Sequence, residues 1–418
     1  MRSLLSLLHK CIAQKMKYDF TSTFSNKLPA IALQKAKLPF AIVLFIPLLA
    51  GSCGRWLTGK NPSNTPTTNY EYFYQLVKEN YSFFAEKRVK WDSLDQVYRP
   101  LVHDKMGNDS LYTVMSEMLF SLKDGHVNLY INNDRSRNAD WYLDYPANFN
   151  RGFVHRNYWG KDYQASGALI NTWLPDSIGY VYYSSFRSSF SKGNLDYVLN
   201  RFANAKGLII DVRENGGGSM RNAFRLAERF VSERTFMGTS QYKTGPGADD
   251  FSTPDSIFVK PLVDYKARAE AQEKKKKKED EEKPEEKEED KAEEPTTKPG
   301  RWMTADSTGM MIDKPVVVLI NRHSYSATNF FASFMSNIPN VTLIGDRSGG
   351  GGGVPVSFEL PNGWKFRISV TRTYLPNGYN IEEGIEPDIY QNTGPADELK
   401  GVDAIIERAK THILEQGK

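Results

Sequence analysis

Three hydroxyl side chains lie close together where an apolar strand pattern gives way to a helix pattern. Ser324, Ser326 and Thr328 follow the strand-like run "PVVVLI" at residues 315–320 and precede the apolar residues of "NFFASFM". A hydroxyl at a helix start can act as a nucleophile, because the helix dipole stabilises the alkoxide. Serine and threonine at this position also cap helices. The stretch by itself indicates either a capped helix or a nucleophilic side chain.

A second stretch, "DVRENGGGS" at residues 211–219, leaves an apolar strand and enters a helix through three glycines. This geometry directs backbone N–H groups outward near a positive helix end, which is what an oxyanion hole requires. A phosphate-binding turn and a tight strand-to-helix connection are the alternatives. No P-loop lysine follows, and the glycines do not fit the dinucleotide-binding fingerprint.

Both stretches belong to an alternating pattern of short strands and helices. Runs rich in β-branched residues predict strands at 178–186, 207–212, 315–320 and 341–345, and helical patterns follow the second and third of them. Such alternation predicts βαβ units in a largely parallel sheet, with ligands at the carboxyl ends of the strands. Two further strands, around 354–360 and 364–371, are expected to close the sheet edge as a hairpin through Pro361-Asn362-Gly363.

A helical segment precedes this region. Apolar residues from Tyr70 onward follow an amphipathic stripe, and further helices are expected near Asp92 and Asp109, before "KDGH" at residues 123–126. The predicted fold class is therefore α/β, a mostly parallel sheet flanked by helices, with a small N-terminal helical subdomain.

Composition excludes several classes of site. The 418 residues carry a net charge of +4 from near-equal numbers of acids and bases, which gives no nucleic-acid footprint. The two cysteines, Cys11 and Cys53, allow no disulfide framework and no cysteine-rich zinc site. Residues 265–300 are almost purely charged and cannot bury enough surface to fold alone, which favours a flexible surface insertion over a solvated helix.

The region before Cys53 predicts a processing signal. Lys35 and Lys37 precede the apolar run "LPFAIVLFIPLLA", which ends in Gly51-Ser52-Cys53. The run is shorter than the ~20 residues that cross a bilayer. It resembles a bacterial lipoprotein signal, which implies cleavage before Cys53 and acylation of that residue. An uncleaved anchor, an ordinary signal peptide and a buried helix are the alternatives.

Several motifs together resemble the tail-specific or C-terminal processing serine peptidases, in particular the branch similar to the tricorn core protease. The motifs run in the family's order, from about residue 70 to 389 apart from the charged insert: "LKDGHVNL", "GLIIDVRENGGG", "VVVLINRHSYSATNFF", "VTLIGDRSGGGG" and "YLPNGYNIEEGIEPDI". The resemblance implies a crotonase-like or ClpP-like core and no metal or organic cofactor.

The resemblance also implies roles for individual residues. Ser326 is the nucleophile of this pattern, and Ser324 becomes the helix cap. His126 is the base, since a histidine titrates near neutrality. Glu382, with Glu383 as competitor, completes the site. The implied oxyanion donors are the amides of Gly217, or its neighbour Gly216, and Ala327, and the implied contacts to an extended substrate lie at Gly350 and Gly351.

Two departures from the family patterns bear on the base. The C-terminal processing branch has a lysine base 25 positions after the nucleophile, where this chain has Gly351. The nearest downstream lysine, Lys365, belongs to a predicted strand. The tricorn-like branch has a serine before its histidine, where this chain has Gly125. About fifty residues separate His126 from the first core strand, too few for a PDZ domain.

The sequence thus predicts a cell-envelope, lipid-anchored serine endopeptidase that cleaves unfolded or extended polypeptides through an acyl-enzyme. The alternative is a non-catalytic protein that binds peptides or hydrophobic ligands on the same scaffold. The predicted organisation is a signal region (1–53), a tether (54–69), an N-terminal helical subdomain with its connection (70–165), a peptidase core (166–264 and 301–418) and the charged insert (265–300).

Overall fold

The computed structural model describes residues 62–138, 144–145, 147–261 and 314–416. The predicted signal region with Cys53, the first half of the predicted tether (54–61) and the charged insert lie outside these residues. Within the described ranges, no helix is both long enough and apolar enough to span a membrane.

The N-terminal helical unit begins earlier than predicted. Helix α1 starts at Pro66, four residues inside the predicted tether, because the Thr65 side chain accepts a hydrogen bond from the Thr68 amide and proline fits the first helical turn. The unit's helices are α1 (Pro66–Asn80), α2 (Trp91–Tyr98) and α3 (Asn108–Phe120).

This unit packs on a small antiparallel sheet. The sheet has the order β1 (Asn128–Tyr130), β11 (Lys365–Ser369), β10 (Pro355–Glu359). Phe73 of α1 contacts the rings of Trp91 and Phe366 at centroid distances of 5.9 and 5.5 Å. The predicted hairpin at 354–371 therefore forms, but the expectation that it closes the edge of the parallel sheet is wrong. Its apolar face is covered by the N-terminal helices instead.

The main sheet has seven strands among the described residues, in the order β13-β9-β8-β5-β4-β3-β2. The five strands from β13 to β4 are parallel to one another. Strand β3 is antiparallel to β4, and β2 is antiparallel to β3. Every residue of β4, β5 and β8 is buried, as expected for strands covered on both faces. Their bounds are β2 Gln164–Ser166, β3 Leu169–Leu174, β4 Ile178–Tyr182, β5 Gly207–Asp211, β8 Val316–Ile320, β9 Val341–Gly345 and β13 Ile389–Tyr390.

Helices cover both faces of this sheet. One face packs against α5, α6 and α7, and the other against α4 and α9. Phe153 and Trp159 lie in the segment predicted to be a connection. They pack in the apolar cluster on the face covered by α4 and α9, so this segment is part of the core. The predicted fold class is confirmed. The helices are α4 Arg151–Val154, α5 Lys192–Arg201, α6 Met220–Ala227, α7 Ala327–Met335, α8 Pro395–Leu399 and α9 Ala404–Gln416.

A third sheet joins the core to the rest. It has the order β12 (Thr371–Tyr374), β6 (Thr235–Tyr242), β7 (Asp255–Val259). Strand β12 follows β11 directly, so one continuous stretch of chain connects the small sheet beneath the helical unit to this third sheet. The strand ends of β5 and β8 and the first residues of β1 converge at the site described next.

Candidate active site

Ser326 occupies a strained turn between strand β8 and helix α7. Its backbone angles are φ 59° and ψ −122°, in a region that non-glycine residues rarely adopt. Such strain costs on the order of 1–3 kcal/mol and concentrates at functional positions. A sharp strand-to-helix turn of this kind is how nucleophile elbows expose a serine hydroxyl. The Ser326 side chain makes no cap hydrogen bond to its helix, and it is partly exposed.

The two neighbouring hydroxyls are committed to structural bonds. Ser324 is fully buried, where its Oγ donates to Val212 O at 2.9 Å and accepts from Asn321 N at 3.1 Å. The expectation that Ser324 caps α7 is therefore wrong, because it ties the end of β8 to the end of β5. Thr328 Oγ1 donates to Asn215 Oδ1 at 2.8 Å. Of the three hydroxyls, only that of Ser326 faces a base.

The imidazole of His126, the predicted base, contacts Ser326. Its Nε2 lies 2.8 Å from Ser326 Oγ, across 200 residues of sequence. The ring is buried, and burial lowers the pKa of His126 to about 4; Asp124 raises this pKa, while Arg367 and Lys87 lower it further. The imidazole is therefore neutral at pH 7 and has a lone pair to accept the serine proton.

The second ring nitrogen of His126 is not held. Nδ1 is buried, and within the described part of the chain it has no hydrogen-bond partner. Gly125 stands directly before the histidine, where the tricorn-like pattern has a serine, and glycine offers no side-chain acceptor. Among the side chains that the structure describes, none fixes the tautomer of His126.

Glu382 is buried, and among the described residues its carboxylate makes no hydrogen bond to Ser326 or His126. Its Oε2 accepts the Gly352 amide at 2.8 Å, and its Oε1 lies 2.9 Å from Lys87 Nζ. Burial raises the pKa of Glu382 to about 7; Asp124 also raises it, while Lys87 and the Gly352 amide lower it. The competitor Glu383 is exposed, so Glu382 is the acid of this pair that lies at the site.

The chain's geometry leaves no room for the family's lysine. A Cβ on Gly351 would lie 2.5 Å from Cζ of the Tyr325 ring, and the residue has φ 75°. Lys365 is exposed and lies 3.8 Å from Glu359, away from Ser326. Lys87 does reach the site. Burial lowers the pKa of Lys87, but Glu382 and Asp124 outweigh it and hold the pKa above its usual value, so Lys87 is a cation and not a base.

The three amides predicted as oxyanion donors differ in their hydrogen bonding. The Gly217 N–H donates to Asn215 Oδ1 at 3.0 Å, so it is occupied in this structure. The described residues provide no acceptor for the amides of Gly216 and Ala327. A Cβ on Gly217 would lie 2.8 Å from Ala327 N, so close approach of the loop to the nucleophile requires glycine.

Gly350 and Gly351 are buried and do not form an open substrate edge. Gly350 O accepts the Ser326 amide at 2.9 Å, and a Cβ on Gly350 would lie 2.1 Å from Glu382 O. Both glycines thus have a structural role, and their contact with substrate stays a prediction. Gly350 holds the backbone of Ser326, and the Glu382 carboxylate holds the amide of the neighbouring Gly352.

Asn215 is a site residue that the sequence did not single out. Its buried Oδ1 accepts from the Gly217 amide, from Thr328 Oγ1 and, at 3.2 Å, from the Phe186 amide. Its backbone carbonyl accepts the Tyr325 amide at 3.1 Å. Asn215 thus joins the glycine loop to the turn that carries Ser326. The sequence feature that could have identified Asn215 is its position between Glu214 and Gly216 of the motif.

Comparison with known proteins agrees with this fold and site. The model of peptidase family S41 matches residues 177–391, and that of the tricorn protease C1 domain matches residues 62–120. The chain belongs to peptidase family S41.

Individual relatives cover different parts of the chain. A candidate peptidase from Parabacteroides merdae is 40% identical in a solved structure, over 84% of this chain and 98% of that one, with a TM-score of 0.69. The carboxy-terminal processing protease CtpA of Bacillus subtilis is 23% identical over 51% of this chain and 35% of its own length. A carboxy-terminal-processing protease of Bartonella bacilliformis is 31% identical over 25% of each chain.

The matches to these two curated proteases span a quarter to about a third of their length. As for metals, the described ranges contain no group of three or more histidine, cysteine, aspartate or glutamate side chains placed to bind an ion.

Proposed function

We propose that this protein is a serine endopeptidase in which His126 activates Ser326. The observation that carries the proposal is the 2.8 Å contact between His126 Nε2 and Ser326 Oγ at a strained turn. Two further features support it: the imidazole is neutral at pH 7, and the serine is partly exposed to an approaching substrate.

The proposed reaction follows from these positions. His126 Nε2 takes the proton of Ser326 as its Oγ bonds to the substrate's carbonyl carbon, and the amide of Ala327 stabilises the oxyanion together with Gly216 or a released Gly217 amide. The imidazolium then gives its proton to the leaving nitrogen as the C–N bond breaks. Water then hydrolyses the acyl-enzyme. His126 takes a proton from the water as it attacks the acyl carbon, and gives it to Ser326 Oγ as the ester bond breaks. Glu382 acts on this site through the glycine run that holds the Ser326 amide.

We propose extended or unfolded polypeptides as substrates, since the relatives are named carboxy-terminal processing proteases. We also propose that Cys53 carries a lipid that anchors the protein in the bacterial cell envelope, on the strength of the preceding "LPFAIVLFIPLLAGSC". Metabolic labelling with a palmitate analogue tests the anchor: the label should appear in the full-length chain and be lost in Cys53→Ala.

Incubation with unfolded casein tests the activity. The wild-type protein should produce fragments, and Ser326→Ala and His126→Ala should not, with unchanged circular dichroism in both. Full activity in both variants would overturn the proposal.

A second candidate function is binding of peptides or hydrophobic ligands without cleavage. The unpartnered Nδ1 of His126 favours it, because an untethered imidazole is a weaker base for serine. Saturable binding of casein by a wild-type protein that leaves casein intact would support this alternative.

A further inference from the structure

Asp124 is a buried carboxylate at the site to which neither the sequence motifs nor the comparisons give a role. Only 1% of its surface is exposed. Its Oδ1 accepts the His126 amide at 2.8 Å and the Tyr325 hydroxyl at 3.4 Å. Its Oδ2 accepts the Ser369 hydroxyl at 2.8 Å and the Tyr81 hydroxyl at 3.2 Å. Four donors surround it, and an ionised carboxylate is the form that only accepts.

The position of Asp124 relative to His126 is rigid. The two residues are joined by a two-residue turn closed by the bond from the His126 amide to Asp124 Oδ1. The Tyr325 ring, one residue before the nucleophile, lies 4.9 Å from the His126 ring and donates its hydroxyl to the same carboxylate oxygen. Asp124 therefore holds both the backbone of the base and the residue next to the nucleophile.

Charges face His126 from three parts of the fold. Lys87 comes from the segment after α1, Arg367 from β11, and Asp124 from the turn before β1. Both cations disfavour a protonated imidazole, and Asp124 favours it. The hydroxyls of Tyr81 and Tyr325 are neutral donors to Asp124. Glu382 is charge-paired with Lys87, and it is not among the groups that shift the pKa of His126.

We infer that Asp124, and not Glu382, is the acid that stabilises protonated His126 during catalysis. This inference rests on the proposed function. The proton stays on the imidazole after it leaves Ser326 Oγ and before it reaches the leaving nitrogen, and Asp124 stabilises that imidazolium by its charge without taking the proton. Because Asp124 acts through His126, it is a positioning residue.

Glu382 then has a separate task. It holds the Gly352 amide, two residues beyond the carbonyl of Gly350 that accepts the Ser326 amide. Its removal should disturb the nucleophile's backbone and leave the basicity of His126 unchanged. The two carboxylates therefore differ in a measurable way: one sets the pH dependence of the reaction and the other only its rate.

The test is the rate of labelling by a tagged fluorophosphonate between pH 3.5 and 8. Asp124→Asn keeps the side-chain shape and removes the charge. We expect the plateau rate of this variant to fall at least tenfold. We also expect its acid limb, the part of the profile in which the rate falls as His126 becomes protonated, to move about one pH unit lower. One pKa unit corresponds to a tenfold change in the protonation equilibrium. Glu382→Gln should lower the plateau and leave the acid limb in place.

Ser369→Ala is the matched control, since it removes one donor to Asp124 and keeps the charge; its acid limb should stay where it is in the wild type. Thermal unfolding of each variant reports whether it folds, and a poorly folded Asp124→Asn can be replaced by Asp124→Ser. The inference fails if the acid limb of the charge-removing variant does not move, or if that of Glu382→Gln does. If Ser326→Ala is labelled as fast as the wild type, the proposed function fails instead.

Discussion

Lys87 Nζ lies 2.9 Å from Glu382 Oε1, and this ion pair links the N-terminal helical unit to the residue that holds the Gly352 amide. The Glu382 side chain is 2% exposed, and that of Lys87 is 21% exposed. Directly before Lys87, Glu86 accepts a hydrogen bond from Asn380 at 3.2 Å. The segment 82–89 is thus part of the site's support, although none of the motifs quoted from the sequence lies in it.

Removing the cation alone should be costly. Above pH 7, where Glu382 is ionised, Lys87→Met leaves this buried carboxylate without its counter-ion, which we expect to lower the free energy of unfolding by about 3 kcal/mol. Urea denaturation measures this loss. The double variant Lys87→Met/Glu382→Gln should recover much of the stability, because no uncompensated charge remains. Additive losses in the double variant would show that the pair is not coupled.

The pH dependence of stability should carry the signature of Glu382. Its folded-state pKa is raised from 4.5 to about 7, so the folded protein keeps a proton that the unfolded chain loses above pH 4.5. The contribution of Glu382 to stability is therefore full below pH 4.5 and declines as the pH rises through 7. The wild type should lose stability relative to Glu382→Gln over this window in denaturant titrations, whereas Glu383→Gln, at an exposed position, should follow the wild type. Parallel curves for wild type and Glu382→Gln would contradict the assignment.

Asn215→Ala should damage catalysis more than a similar change nearby. The substitution leaves the Gly217 amide, the Phe186 amide and the Thr328 hydroxyl without their shared acceptor. We expect kcat to fall about 10²-fold with a small change in KM, as when one oxyanion-hole donor is lost. Asn222→Ala is the control. Asn222 Nδ2 donates to the Phe186 carbonyl at 2.9 Å, so it also binds Phe186, but it does not hold the glycine loop. Equal losses in both variants would reduce Asn215 to general packing.

Introducing a side chain at Gly351 should disrupt the site, not restore a serine–lysine pair. A Cβ there meets the Tyr325 ring at 2.5 Å, and φ is 75°. Gly378 has φ 83° with nothing within 4 Å, so Gly378→Ala isolates the backbone cost of about 1 kcal/mol. Gly351→Ala should lose about 2 kcal/mol more than this control, from overpacking. Activity in the double variant Gly351→Lys/His126→Ala would contradict the prediction that no lysine base can be restored at this position.

Much of the fold follows from local sequence patterns. The buried parallel strands are continuous apolar runs, and the helices between them carry apolar stripes, so their order and type are readable. The packing of the 354–371 hairpin could not be predicted from the sequence, because its strand pairing with Asn128–Tyr130 joins segments more than 200 residues apart. Nothing in the hairpin's own alternation distinguishes one sheet edge from another.

The site divides in the same way. The pairing of Ser326 with His126 follows from the family's motif order, and the structure brings these side chains into contact. Lys87, Asp124 and Asn215 were not predicted, since a charged or amide residue in a polar turn has the same sequence signature whether it is solvated or buried. Their roles depend on desolvation and on distant partners, which only the folded chain determines.

The most direct test of the central claim, that His126 activates Ser326, is to locate a fluorophosphonate adduct by mass spectrometry in the wild type and in His126→Ala. We predict an adduct on Ser326 in the wild type and at least a 10²-fold slower reaction in His126→Ala, because general-base help typically contributes 10²–10⁴-fold. An adduct on Ser324 or Thr328, or undiminished labelling of Ser326 without the imidazole, would contradict it.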